Sequence, residues 1–281
     1  MIRLLAYAKL NLSLRILGRR PDGFHEIDSL VQTISLADRI SVDMTQAGVE
    51  VENDAGIPPE EDLTGRAARL LLAEKHDPRG VRIKTEKRIP IGAGLGGGSS
   101  DAAAVLWGVN RLTSPLLPKE DLHHLATRLG ADVALFLTGG RMQVCGIGEK
   151  TTPLPITPRE RFLLLIPPVH CQTACVYDHF DELASCSTQT LAGDLLGNND
   201  LEAAALHLYS ALAPYRNTVA ALPSLYSGMS GSGSAFFAAF SSLETAEASK
   251  QKLSLSFPEA RIHLCYPTRT GYHVEGRHEC K

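Results

Sequence analysis

The sequence predicts an α+β fold made of two domains. Apolar and polar residues alternate from Ala6 to Ile16, which is the period of a strand with one buried face. Further along, helical patterns and strand-like segments follow one another without a strict βαβ rhythm, which favours α+β over a doubly wound sheet. A chain of 281 residues has room for about two domains. Prolines cluster at 150–160, and we place the domain boundary there, between residues 1–155 and 156–281.

The first strand is the best-defined element, and it places Lys9 and Asn11 together on the face that points away from the core. Asp22-Gly23 predicts a turn after it. The remaining predicted strands span residues 39–44, 81–89, 162–166, 235–240 and 261–266. Predicted helices span residues 62–76, 99–111, 118–129, 200–213 and 243–253.

Composition and charge argue against several classes of function. The chain has 28 Lys and Arg residues against 31 Asp and Glu, a formal charge of −3, so bulk positive charge would not draw it to nucleic acid or to a membrane surface. No apolar run approaches the ~18 residues of a membrane span, and charged residues interrupt the first 17 residues. The six cysteines form no Cys-x-x-Cys pair, which is typical of reduced thiols. We therefore expect a cytoplasmic protein.

A glycine-rich run from Pro90 to Ser100 is the main functional signal. It follows a predicted strand and opens a predicted helix, whose first N–H groups are unpaired and carry about half a positive charge. Glycines let such N–H groups close around phosphate oxygens. The serine hydroxyls can reach the phosphates or a magnesium ion. The predicted phosphate cradle consists of Pro90, Gly92, Gly94, Leu95, Gly96, Gly97, Gly98, Ser99 and Ser100.

Three other interpretations of the run are weaker. A P-loop requires a Lys that the run lacks. Gly92, Gly94 and Gly97 match the dinucleotide pattern Gly-x-Gly-x-x-Gly, but the helix after them leads into another helix instead of a second strand. The third interpretation is a glycine loop with no ligand, which five glycines in seven positions at a strand-to-helix junction make less plausible.

Three segments resemble the motifs of the GHMP kinase superfamily, which includes galactokinase and the homoserine and mevalonate kinases. They are Ala8-Lys9-Leu10-Asn11-Leu12, the glycine run, and Ser230-Gly231-Ser232-Gly233. Two more, Asp22-Gly23-Phe24-His25 and Leu129-Gly130-Ala131-Asp132-Val133, resemble the members that act on CDP-methylerythritol in isoprenoid biosynthesis. The resemblance implies a two-domain kinase with its active site in the interdomain cleft. It also implies ATP and Mg²⁺ as cofactors and CDP-methylerythritol as the small-molecule partner, phosphorylated on its 2-hydroxyl.

Phosphoryl transfer needs a proton acceptor and positive charge beside the phosphate cradle. Asp132 has two interpretations: the residues alone favour a helix N-cap before Val133, whereas the resemblance implies the catalytic base. Lys9 is the candidate for the positive charge that the glycine run lacks. Asn11 shares the face of Lys9 and would hydrogen-bond the acceptor hydroxyl or an ordering water.

Substrate recognition is assigned to Phe24, His25 and Tyr177. In the resembled kinases, the cytosine lies between two aromatic rings and contacts this histidine; Phe24 and Tyr177 fit the two rings. The alternative is ordinary packing of both aromatic side chains. One departure from the family pattern is Asp62-Leu63, where Asn-Leu is usual near the adenine pocket. The spacing of the histidines and cysteines at 170–179 is not that of a zinc site, and we predict no protein metal centre.

Two rival functions stay open on the sequence. One is another GHMP kinase of the homoserine or mevalonate type, which Phe24-His25 and the triple glycine argue against. The other is a non-catalytic nucleotide or sugar sensor on the same fold, which would have no need of both Lys9 and Asp132.

Overall fold

The computed structural model describes residues 1–157, 159–185 and 196–276. Two sheets and eight α-helices make up this part of the chain, which confirms the α+β prediction. In order, the elements are β1 (Ile2–Arg19), β2 (His25–Thr45), β3 (Val49–Asn53), α1 (Leu63–Glu74), β4 (Gly80–Glu86), α2 (Gly97–Leu112), α3 (Lys119–Leu129), α4 (Ala131–Thr138), β5 (Arg141–Gly146), β6 (Lys150–Leu154), β7 (Arg161–Ile166), α5 (Thr173–Ser185), α6 (Glu202–Leu208), a 3₁₀ turn (Ser210–Leu212), α7 (Ala213–Ala220), β8 (Tyr226–Met229), β9 (Phe236–Phe240), α8 (Leu243–Ser256), β10 (Arg261–Cys265) and β11 (Tyr272–Val274).

A long antiparallel hairpin of β1 and β2 forms the centre of the first sheet. Its turn follows Arg19 and contains the predicted Asp22-Gly23. The sheet has the strand order β11-β1-β2-β4-β3, and β5 pairs with the first part of β2 and with β6. Helices α1 to α4 supply apolar side chains to the core on one face of this sheet.

The second sheet has the order β10-β7-β9-β8 and is antiparallel throughout. Helices α5 to α8 pack on one of its faces around Phe236, Phe240 and Leu253. Its other face packs against the first sheet, where Phe162 and Phe237 share a core with Leu10 and Leu12 of β1. The chain crosses between the sheets after β6 and returns to the first sheet with β11, beside β1. The proposed boundary at 155/156 stays a prediction.

Around Lys9 and Asn11, the β1 strand is buried on both faces, not on one. The alternating apolar residues face the cores as predicted, but Lys9 and Asn11 on the opposite face are only 6% and 7% exposed. The glycine run and the loop before β9 cover that face. This cover encloses the Lys9 ammonium and the Asn11 amide.

The helix predicted over 200–213 is wrong in extent. Helix α6 ends at Leu208, a 3₁₀ turn follows, and α7 begins at Ala213 with Pro214 in its first turn. Proline has no backbone N–H and its ring clashes with the preceding turn, so a helix cannot run through it without disruption but can begin there.

None of the helices in the described ranges has the length and apolar character that a membrane crossing requires. Cys145, Cys171, Cys175 and Cys265 are free thiols. Cys186 and Cys280 lie outside the described residues.

Candidate active site

A cavity of about 460 Å³ lies between the glycine run, β1, α4 and the start of α5. Most of the predicted site residues line it. From the sequence prediction these are Lys9, Asn11, Pro90, Gly92, Gly94, Leu95, Gly96, Gly97, Gly98, Ser99, Asp132 and Tyr177. The cavity wall also contains Leu63, Gly231 and Ser232, which belong to segments that the sequence analysis singled out, and Ile57, Lys87 and Thr173, which it did not.

The glycine run adopts a conformation that other residues would not tolerate. Gly92, Gly94 and Gly96 have φ values of 68°, 74° and 72°. A Cβ on Gly94 would lie 2.0 Å from the carbonyl oxygen of Ser230, so the two glycine loops touch backbone to backbone. Gly96 is the N-cap of α2 and provides no capping side chain. The first N–H groups of a 16-residue helix therefore remain available beside the cavity.

Hydrogen bonds attach this loop to both sheets. The N–H of Lys9 donates to the carbonyl of Leu95 at 3.0 Å, and the N–H of Ala235 donates to the carbonyl of Ala93 at 3.2 Å. The Ser230 hydroxyl donates to the carbonyl of Gly94 at 3.0 Å. The cradle is thus built by contacts distant in sequence, at the junction of the two sheets.

The two serines after the glycines have different surroundings. Ser99 lines the cavity. Ser100 is fully buried, and its hydroxyl donates to the carbonyl of Tyr7 at 2.6 Å. The structure therefore places Ser100 as a tie between α2 and β1, and does not place its hydroxyl on the cavity wall.

Lys9 is held by Asn11 on the cavity wall. Its Nζ donates to Oδ1 of Asn11, whose Nδ2 donates to the Ser29 hydroxyl at 2.8 Å. The Asn11 backbone N–H donates to the Ser230 hydroxyl at 3.2 Å. Burial lowers the pKa of Lys9, and the negative charge of Asp132 opposes that shift only in part.

Asp132 lies in the first turn of α4 and is not its N-cap. The helix begins at Ala131, and the N-cap is Gly130, which has no capping side chain. The N-cap interpretation of Asp132 is therefore wrong. A carboxylate in the first turn is favoured by the helix dipole. No other described residue forms a hydrogen bond or an ion pair with this carboxylate, which lines the cavity and interacts electrostatically with Lys9.

The predicted substrate residues are only partly assembled. The rings of His25 and Tyr177 have centroids 4.8 Å apart, with planes tilted by 36°. Burial and the nearby Asp132 raise the pKa of Tyr177 to about 12. Phe24 lies just after the hairpin turn and is 59% exposed; its ring is not paired with Tyr177 in the described structure. The two-ring sandwich that the sequence predicts is therefore not formed here.

A buried charge network that the sequence analysis missed fixes the entrance to the glycine run. Lys87 donates to Asp38 and to Asp101, the latter at 2.6 Å, and Asp38 also accepts the backbone N–H of Arg88 and of Ile89. Burial raises the pKa of Asp101, although Lys87 opposes the shift. Its signal in the sequence is a single carboxylate among alanines, in Ser-Asp-Ala-Ala-Ala.

The second glycine loop is fixed by Asn199, also missed. Its Nδ2 donates to the carbonyl oxygens of Met229 at 2.9 Å and Gly231 at 2.7 Å. At the other end of the loop, the hydroxyls of Thr173 and Ser232 are 2.9 Å apart. An asparagine thirty residues away from the loop carries no sequence signal of this contact.

Asp62, the departure from the family pattern, has a structural role. It is the N-cap of α1 and accepts the backbone N–H of Thr64 at 2.9 Å and its hydroxyl at 2.6 Å. The adjacent Leu63 lines the cavity.

Two family models match the chain. The GHMP kinases N terminal domain matches residues 62–140, and the GHMP kinases C terminal model matches residues 180–259. Curated relatives named 4-diphosphocytidyl-2-C-methyl-D-erythritol kinase align over nearly all of the chain. The relative from Paraburkholderia phytofirmans is 38% identical over 276 residues, covering 91% of each chain. The relative from Desulfitobacterium hafniense is 36% identical over 277 residues, covering 94% of each.

Solved structures give the same picture. A crystal structure of 4-(cytidine 5'-diphospho)-2C-methyl-D-erythritol kinase superposes with a TM-score of 0.77 and 35% identity, covering 94% of this chain and 99% of that chain. Homoserine kinase from Cytophaga hutchinsonii superposes with a TM-score of 0.75 at 19% identity, covering 97% and 96%, which is a likeness of fold alone.

Proposed function

Because the chain belongs to the GHMP kinase family, we propose that its cavity holds ATP and an acceptor alcohol together, with Lys9 and Asp132 at the transferred phosphoryl group. The chain is a kinase that phosphorylates 4-diphosphocytidyl-2-C-methyl-D-erythritol, as its relatives' names state, and kinases of the GHMP family use ATP. The observation that supports the residue assignment is the convergence of Lys9, Asp132 and the uncapped start of α2 on one cavity.

The glycine run fits the triphosphate of ATP. Its N–H groups at the start of α2 are uncapped, and the positive φ of Gly92, Gly94 and Gly96 brings backbone to the cavity wall without side-chain bulk. The Ser99 hydroxyl adds a donor at the same end of the helix. Leu63 and Ile57 provide apolar surface for the adenine ring.

In the reaction, Asp132 accepts the proton of the acceptor hydroxyl as the oxygen attacks the γ-phosphorus in line with the leaving ADP oxygen. The Lys9 ammonium stabilises the negative charge on the transferring oxygens. Asn11 keeps that ammonium in place through its Oδ1. We assign transfer to the 2-hydroxyl of the acceptor, as the resemblance to the kinases of CDP-methylerythritol implies.

Mg²⁺ in kinase sites is held mostly by phosphates and water, with one or two protein oxygens. The Ser99 hydroxyl is an oxygen donor on this wall and would hold the ion, which offsets phosphate charge when bound. His25, Tyr177 and, after a movement of the hairpin tip, Phe24 would hold the cytosine. A cytoplasmic location, without nucleic-acid or membrane partners, stays a prediction.

A coupled ADP-release assay over a panel of alcohols tests the activity. We expect turnover with 4-diphosphocytidyl-2-C-methyl-D-erythritol and none with homoserine or mevalonate, and competition by CDP at millimolar concentration. Turnover of homoserine or mevalonate instead would assign a different branch of the family. Binding of nucleotide without turnover of any alcohol would indicate a sensor.

A further inference from the structure

We propose that Asp181 is a positioning residue that fixes the hydrogen-bonding state of His25 and so selects cytosine over uracil. This inference rests on the proposed function, because it assumes that His25 contacts the base of the substrate. Asp181 lies on α5, outside every motif that the sequence analysis used.

Asp181 bridges the two strands of the central hairpin. Arg19 and His25 are directly opposite each other in the β1–β2 register. One oxygen of Asp181 lies 2.7 Å from Nε2 of His25, and the other lies 3.0 Å from Nη1 of Arg19. The His25 side chain is only 8% exposed, so its end of this pairing is shielded from water.

The same helix face also holds the ring of His25. Tyr177 precedes Asp181 by four residues, the spacing that places two side chains on one side of a helix. Tyr177 contacts the face of the imidazole while Asp181 holds its edge. Two contacts from one helix therefore fix both the plane of the ring and its rotation within that plane.

The carboxylate determines what His25 can offer to a base. An ionised carboxylate only accepts hydrogen bonds, so Nε2 must carry the hydrogen, and Nδ1 of a neutral imidazole is then an acceptor. Among the described residues, none forms a hydrogen bond with Nδ1. Cytosine presents an amino donor where uracil presents a carbonyl acceptor. As an acceptor, Nδ1 therefore pairs with the amino group of cytosine and is repelled by the carbonyl oxygen of uracil.

Arg19 supports this arrangement by donating to the second oxygen of Asp181 at 3.0 Å. Its guanidinium neutralises the carboxylate oxygen that His25 does not use. An amide at position 181 could instead donate to Nε2, which would put the hydrogen on Nδ1 and reverse its preference. Asp181→Asn is therefore the informative substitution, because it preserves the shape of the side chain but no longer requires the hydrogen of His25 to be on Nε2.

The experiment measures inhibition constants of CDP and UDP against 4-diphosphocytidyl-2-C-methyl-D-erythritol. In the wild type we expect CDP to bind about 10-fold tighter than UDP, the effect of one matched against one mismatched hydrogen bond. In Asp181→Asn we expect the ratio to fall to near one, with KM for ATP unchanged. Glu182→Gln is the matched control: it removes the same charge from the next residue of α5, whose described partner is His179. We expect it to retain the wild-type ratio.

A double-mutant cycle separates positioning from a structural role. If Asp181 acts through His25, Asp181→Asn has no further effect on the CDP:UDP ratio in a His25→Ala background. An unchanged ratio in Asp181→Asn, or an equal loss with and without His25, overturns the inference. If Asp181→Asn does not fold, nitrogen chemical shifts of His25 in the wild type provide the test: they must place the hydrogen on Nε2, and a neutral imidazole with its hydrogen on Nδ1 overturns the inference.

Failure of the proposed function gives a different result. In that case CDP does not compete in the wild type, and no alcohol of the cytidine diphosphate class is turned over. If the wild type prefers CDP and Asp181→Asn keeps the same preference, only the role of Asp181 is refuted.

Discussion

Lys9 is a buried ammonium group without an ion pair among the described residues, and the acceptor of its described hydrogen bond is an uncharged amide. Burying a charge in this way is unfavourable unless an opposite charge compensates for it. A nucleotide phosphate would supply that charge. The lowered pKa of Lys9 therefore indicates a site whose electrostatics are completed by the ligand.

Lys9→Met should lower kcat by about 10²–10³-fold, because the proposed role of Lys9 is to donate to the transferring oxygens. The fold should persist, because the substitution removes an uncompensated buried charge and keeps the packing volume. The measurement is steady-state ADP release with a thermal melt beside it. Lys84→Met, on an exposed strand position paired with Glu52, is the control and should keep wild-type turnover. Wild-type kcat in Lys9→Met would contradict the assignment.

The pH dependence of activity should also report on Lys9. Its pKa is lowered from 10.5 by burial, so the ammonium loses its proton at a lower pH than an ordinary lysine. We expect kcat/KM to decline on the alkaline side below pH 10.5. In any Lys9→Arg variant that retains activity, this decline should move to higher pH, because guanidinium stays charged. A decline at the same pH in both enzymes would assign it to another group.

Asp132→Asn distinguishes the catalytic from the structural interpretation of this residue. We expect kcat to fall by about 10²–10⁴-fold, as for loss of a general base, with KM for ATP nearly constant. Because Asp132 lies in the first turn and does not cap the helix, stability should fall by only about 0.3–1 kcal/mol. A denaturant titration measures that loss. A large loss of stability with retained turnover would restore the structural interpretation.

At the scale of elements, the glycine run requires glycine at position 94 for two reasons: its φ is positive, and the Ser230 carbonyl lies close to it. Gly94→Ala would place a Cβ 2.0 Å from the Ser230 carbonyl, so the loops must separate. Gly48→Ala is a matched control, because its φ of +78° is similar but nothing lies within 4 Å. The control should cost about 1 kcal/mol from backbone strain alone. Gly94→Ala should cost more and also raise KM for ATP about tenfold or more; equal effects in the two variants would contradict a role for the contact.

Elements with a strong local signal could be predicted from the sequence. The alternation in β1, the glycine run before α2 and the leucines of α3 depend on neighbouring residues, and all three elements are present. The short edge strands β3 and β11 were not predicted, since pairing with strands distant in sequence defines them. The helix α5, which carries Tyr177 and Asp181, was missed as well.

The same distinction applies to the site. Twelve of the fifteen predicted site residues line the cavity, because the chemistry of phosphoryl transfer restricts residue type. The supporting contacts of Asn199 and Lys87 were not predicted, because a side chain whose hydrogen-bond partner lies far away in the sequence has no pattern along the chain. The enclosure of Lys9 has the same origin: it comes from Leu95 and Ser230, which the fold alone brings to β1.

At the scale of the whole molecule, β1 contributes to three separate hydrophobic cores. Leu4 and Ala6 pack with the helices of the first sheet, Ala8 to Leu12 pack between the sheets, and Leu14 packs with the helices of the second. Lys9 therefore lies on the strand that both halves of the molecule hold. The position of its ammonium relative to Asp132 depends on how the two sheets are fixed to each other.

A buried cluster joins the sheets on the side away from β11. Arg141 of β5 pairs with Glu160, which precedes β7, and its Nη1 donates to Thr157 at 2.7 Å. The Tyr226 hydroxyl of β8 donates to Glu160 at 3.0 Å. Burial and the negative charge of Glu160 raise the pKa of Tyr226. One carboxylate thus compensates a buried guanidinium of the first sheet and accepts a phenol of the second.

Glu160→Gln should destabilise the protein by roughly 3 kcal/mol, because it leaves the Arg141 guanidinium buried without a counter-charge. Glu52→Gln, at an exposed pair with Lys84, should cost at most about 1 kcal/mol. Urea titration of the three proteins measures the difference. Since Glu160 does not line the cavity, KM for ATP should change little in the folded fraction. The value of kcat should fall if the two sheets are held less firmly relative to each other. Equal stability of the two variants would show that this cluster does not hold the sheets together.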